Sequence, residues 1–136
     1  MKAHHMMHKK IGVLTLSLFL AACSAPAVIK EQASQTLSPY CLSLFDSQKY
    51  QEPSQNLIGG TPVMAISVGK LNGARDVICY VGFGGSIATS LEQRRNLALQ
   101  LCEKRRENIL TANKNAIYEP CTTFSEGNKI IYRPTL

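Results

Sequence analysis

Val63-Met64-Ala65-Ile66-Ser67-Val68-Gly69-Lys70-Leu71, then Asn72-Gly73, then Ala74-Arg75-Asp76-Val77-Ile78-Cys79-Tyr80-Val81-Gly82-Phe83 is the stretch that decides the fold. Two apolar-rich runs flank Asn-Gly, the pair best suited to a two-residue type I′ hairpin turn. Setting Leu71 opposite Ala74 defines the register of the whole hairpin. Val68 then faces Val77, Ile66 faces Cys79 and Met64 faces Val81 on one side. Gly69/Asp76, Ser67/Ile78, Ala65/Tyr80 and Val63/Gly82 share the other. Turn chemistry and apolar sorting agree independently, and a one-residue slip would invert the sorting.

Downstream, Gly82-Phe83-Gly84-Gly85-Ser86 lacks the lysine of a phosphate-binding loop and the frame of a dinucleotide fingerprint, so it reads as a strand-to-helix connection. Thr89 and Ser90 each begin a capping box, with Glu92 and Gln93 three residues on. Leu91–Ala112 is then a long helix. Leu91, Ala98, Cys102 and Ile109 fall on one line of it, with Leu97, Leu99 and Leu101 alongside. Asn113–Asn115 ends the helix. Ile117–Phe124 and Lys129–Arg133 read as two strands around Ser125-Glu126-Gly127-Asn128, the first at an edge or irregular because Pro120 has no N–H to donate.

Upstream, Ser38-Pro39 starts a short helix over 39–47, with serine as cap and proline at the first position. Residues 48–61 read as loop, and 24–38 as a flexible stalk without a sustained period. The pattern predicts an α+β fold: hairpin, helix, hairpin, with one long helix laid on a small antiparallel sheet, all within a single domain over 39–136.

The first ten residues carry Lys2, Lys9 and Lys10 and no acid, and Ile11–Ala22 is almost wholly apolar. A basic segment, a short apolar run and small residues before a cleavage point form a secretory signal. The apolar run is well short of the roughly 20 residues a spanning helix needs. Its ending, Leu20-Ala21-Ala22-Cys23, resembles the lipobox of bacterial lipoproteins. The resemblance implies removal of residues 1–22 and a diacylglyceryl group on the Cys23 thiol with acylation of the new amine. Each buried lipid CH₂ then adds about 0.8 kcal/mol of membrane affinity, and no cofactor beyond this covalent lipid is implied. With Ser24 rather than aspartate following, the resemblance implies an outer-membrane location facing the periplasm.

Four cysteines then remain, Cys41, Cys79, Cys102 and Cys121. An even number in an oxidising compartment reads as two bridges. Cys102–Cys121 would join the helix centre to the returning strand, and Cys41–Cys79 would fasten the N-terminal segment to the sheet. Cys79–Cys102 with Cys41–Cys121 is the competing arrangement, because Cys79 and Cys102 both carry core-facing positions.

His4, His5 and His8 all precede the cleavage point, so the mature part has no imidazole for a triad or a mixed zinc shell. The fifteen Lys+Arg and nine Asp+Glu of the chain give +6 overall; without the three signal lysines the balance is +3, which argues against nucleic-acid binding. One basic feature stands out. Arg94, Arg95, Arg105 and Arg106 fall within the apolar sector of the long helix. Their alkyl stems would cover core edges, or their guanidinium groups would form a patch for anionic headgroups or a partner's carboxylates. No catalytic or metal-ligating set is visible. The expected role is a membrane-tethered, non-catalytic interaction module of the cell envelope with a protein partner, docking through edge strands or the face bearing Ile78 and Tyr80; the alternative is a small-ligand-binding or cell-wall-acting protein.

Overall fold

A computed structural model describes residues 24–47, 61–82 and 90–134. The leader, Cys23, Phe83, the glycine-rich connection after it and Thr89 lie outside the described residues.

Strands β1 (Val63–Leu71) and β2 (Ala74–Gly82) form the expected hairpin, paired from Leu71↔Ala74 to Val63↔Gly82 without a slip. Asn72 and Gly73 take φ of 51° and 83°, the left-handed turn that side chains other than those of Asn and Gly resist. β1 is the central strand. Its other edge pairs with β3 (Ile117–Tyr118) and β4 (Thr122–Glu126), and β4 pairs with β5 (Lys129–Ile130). The sheet runs β2-β1-β4-β5 with β3 beside β1. The strand expected over 117–124 is therefore split at Glu119-Pro120-Cys121, where proline interrupts the ladder. Its first part, β3, pairs with β1 alone and so lies at an edge, and the ladder is irregular at Pro120, as the sequence leads one to expect. The final turn is also tighter than expected, with strand structure up to Glu126 and from Lys129.

Both faces of the sheet are covered. The long helix packs on the face that holds Val63, Ala65, Ser67 and Gly69, burying Ala98 and Cys102. Small residues let it approach closely: a Cβ on Gly82 would lie 2.6 Å from the Arg94 carbonyl oxygen. Gly69 is required on the same face, because a Cβ there would meet the Ile117 carbonyl oxygen at 2.1 Å and the Tyr118 ring at 2.5 Å. The helix starts as its sequence dictates. Ser90 Oγ accepts from the Gln93 N–H at 3.1 Å and Gln93 Oε1 accepts from the Ser90 N–H at 2.8 Å.

The opposite face is covered by α1 (Ser24–Thr36) and α2 (Pro39–Phe45); the long helix, Leu91–Ala112, is thus α3. α1 corrects the expectation of a flexible stalk over 24–38. Ile29, Ala33 and Leu37 recur at four-residue spacing and pack into the core around Met64, Ile66 and Phe124. That stripe is too narrow to stand out in an otherwise polar segment, and burial against the sheet makes it helical. Arg75, near the hairpin tip, donates to the Thr36 carbonyl at 2.8 Å at the C-terminal end of α1. α2 has Ser38 as its cap and Pro39 in its first turn, and it buries Cys41 and Phe45.

The sheet decides the disulfides. Cys79 belongs to the α1/α2 face and Cys102 packs on the other, with β1 and β2 between them. The bridges are accordingly Cys41–Cys79 and Cys102–Cys121, with Cα–Cα distances of 5.9 and 6.1 Å. One bridge fastens each covering layer, and the competing arrangement would have to pass through the sheet.

Candidate functional site

The four arginines of α3 do not form one patch. Arg95 pairs with Glu126 of β4 through a short contact. Arg106 donates from Nη1 to Glu103 Oε2 at 2.9 Å and from Nε to the Tyr118 carbonyl at 3.2 Å. Glu103 Oε1 in turn accepts from the Cys121 N–H at 2.5 Å. Glu103 and Arg106 thus supply, from side chains, the partners that the ladder loses at Pro120. Ser67 Oγ adds a hydrogen bond to the Glu119 carbonyl at 2.5 Å. Arg94 is half-buried and engaged within the fold. Only Arg105 is exposed with no partner among the described residues.

Arg105 overhangs a groove of about 420 Å³ along the outer edge of β2. Ser38, Pro39 and Tyr40, at the start of α2, form one wall; Asp76–Cys79 form the floor; Arg105 and Ile109 of α3 form the other wall. β2 is the outermost strand on this side, so its backbone groups face the groove. Tyr40 is 59 % exposed at the rim. Beneath, the Tyr118 hydroxyl donates to the Asp76 carboxylate. Burial of the phenol, reinforced by its hydrogen bond to Asp76 and that residue's negative charge, pushes Tyr118 up to about 12 from its ordinary value near 10. The carboxylate is thereby committed to the fold.

Ser38, the groove's one hydroxyl at the backbone edge, accepts from the Cys41 N–H as a helix cap and donates to the Val77 carbonyl at 3.4 Å. Both of these partners are backbone groups. The groove thus combines a cation, an aromatic rim and a strand edge whose Val77 carbonyl is taken by Ser38. A wider depression of about 600 Å³ runs along the outer side of α3 past Leu99, Glu103 and Lys104, but its described walls all belong to one helix and oppose nothing.

Of the other expected features, Cys23 lies outside the described residues, and Cys41, Cys79, Cys102 and Cys121 are structural. The face expected to dock a partner is closed at Ile78, which is 4 % exposed and packed with Ala116 and Tyr118, while Tyr80 is exposed. α3 covers that face out to the edge strand. Sequence reasoning missed the groove because its walls come from α2 and α3, 65 residues apart at Tyr40 and Arg105. Among the described residues no group of three or more His, Cys, Asp or Glu could hold a metal, and no helix is long and apolar enough to cross a membrane. Compared with known proteins, the chain matches no family model, no curated protein and no solved structure.

Proposed function

We propose that this chain is a lipoprotein of the bacterial envelope, held in the outer membrane through Cys23 and facing the periplasm, whose folded part docks a partner protein without catalysis. The carrying observation is the cysteine arrangement. Four of the five cysteines pair with one another in two bridges, and the fifth stands in Leu20-Ala21-Ala22-Cys23 behind a basic, apolar leader. Two bridges suit an oxidising compartment and the leader suits export to one. The groove between Tyr40 and Arg105 supports the docking role. Its open strand edge and lone cation favour an extended acidic segment of another protein over a small molecule enclosed on all sides.

Intact-mass analysis of protein from its native host tests the anchor. The expected species begins at Cys23, carries acyl chains and retains both disulfides; a bare cysteine or a retained leader overturns the reading. Cys23→Ser is expected to leave the leader uncleaved. For docking, a photo-crosslinking residue at Tyr40 is expected to give one discrete adduct in living cells, and Arg105→Glu to abolish it. An equal yield of the same adduct from a crosslinker at Gln100, on the outer side of α3, would remove the groove from the account.

A further inference from the structure

The start of α1 lies against one end of the sheet, and among the described residues that end carries an excess of positive charge. Ile29 packs into the same cluster as Ile130 and Tyr132, and α1 touches β5 directly. The chain beyond β5 is held down by the Ile131 and Tyr132 N–H groups, which both donate to the Phe124 carbonyl at 2.9 and 3.0 Å. Around this junction Lys30, Lys129 and Arg133 are exposed, together with Val28 at 57 % and Ile131 at 37 %. Among the described residues the acids nearby are Glu31, exposed on α1, and Glu126, which already pairs with Arg95. Three cations against one free carboxylate, interleaved with apolar side chains, match the chemistry of an anionic lipid surface.

Distance sharpens the match. Helix α1 begins at Ser24, the residue after Cys23, so no flexible spacer separates an acylated Cys23 from the folded part. At 1.5 Å per residue, Ile29 lies only about 8 Å along the helix from its start, comparable with the Debye length of about 8 Å at physiological ionic strength. We infer that the end of the molecule formed by the first turns of α1 and by β5, with Lys30, Lys129 and Arg133 around Val28 and Ile131, is a membrane-contact face that lies on anionic phospholipid beside the anchor. The inference rests on the lipoprotein reading and adds to it an orientation: this end rests on the bilayer instead of swinging on a stalk.

Hydrogen exchange of the mature, acylated protein tests it in two kinds of vesicle, phosphatidylcholine alone and phosphatidylcholine with phosphatidylglycerol. The expected result is severalfold slower amide exchange over 27–32 and 129–133 in the anionic vesicles, reversed by high salt, with α3 unchanged. The double variant Lys129→Glu, Arg133→Glu is expected to remain acylated and vesicle-bound while losing that protection. Exchange equal in both vesicles for protein of full acyl mass overturns this inference alone, as does protection that survives in the double variant. Protection of the same segments that instead tracks protein concentration in neutral vesicles identifies a second copy as the occupant and also overturns it. A mass lacking acyl groups overturns the lipoprotein reading, and this inference with it.

Discussion

The two faces of the β1–β2 hairpin are held by different means. The face toward α1 and α2 presents Met64, Ile66, Val77 and Cys79, and its centre is an edge-to-face pair, Phe45 and Phe124, with ring centroids 5.7 Å apart. The face toward α3 presents Val63, Ala65, Ser67 and Gly69 to a helix that buries only Ala98 and Cys102 completely. Large side chains fill the first layer by volume. In the second, small residues bring backbones close, and polar clasps (Arg95–Glu126, Arg106 to the Tyr118 carbonyl and the Glu103–Cys121 bond) fasten the helix. Short helices with large side chains and a long helix with small ones thus cover the same sheet. The lesson is that a largely polar helix can be a core element when its contact line is narrow and its partners are pinned.

The largest test of this contrast removes volume from the first layer. Phe124→Ala is expected to cost about 3–5 kcal/mol in denaturant unfolding, the range for deleting a buried aromatic ring. A loss below about 1 kcal/mol would show that the layer is not held by volume.

Next come the bridges, one per layer. Replacing both members of a pair by alanine is expected to cost about 4 kcal/mol for Cys41–Cys79 and about 3 kcal/mol for Cys102–Cys121 in the chain-entropy treatment. The order follows from their separations of 38 and 19 residues. Because the sheet lies between them, the two losses are expected to add, and strong non-additivity in thermal unfolding would mean the layers are coupled.

Smaller again is the clasp at the split strand. Glu103→Ala leaves the Cys121 N–H and the Arg106 guanidinium without their carboxylate, at an expected cost of about 1–3 kcal/mol. Lys104→Ala on the exposed side should stay within about 0.5 kcal/mol. Comparable losses from the two would deny Glu103 its special place.

The most narrowly confined effect is one of pH, felt only in alkaline solution. Folding holds the Tyr118 proton more tightly than the unfolded chain does, so its contribution is complete below pH 10 and is lost as pH rises from about 10 to about 12. Stability of the native chain should therefore fall across that window more steeply than that of Tyr118→Phe. Parallel pH curves for the two proteins would exclude a folding role for the Tyr118–Asp76 bond.

Much of this was legible in the residues themselves. Asn72-Gly73 with alternating apolar partners specified the hairpin and its register, Ser90 with Gln93 marked the start of α3, and Pro120 announced the break between β3 and β4. The α+β class followed, and the observed cysteine pairing was one of two arrangements the residues left open. α1 was hidden, because Ile29, Ala33 and Leu37 form a stripe one residue wide, which has meaning only when a sheet lies beneath it. The arginines looked alike in sequence, yet Glu126 and Glu103 engage two of them from different elements, leaving Arg105 over the groove.

Local chemistry by itself determined where strands turn and where the long helix begins, since each depends on a few adjacent residues: a left-handed turn, a reciprocal cap. Only the tertiary structure decided which face each covering helix takes, which cysteines meet and which charges are neutralised. These depend on residues tens of positions apart, brought together by burial of apolar surface, and no local pattern contains that distance.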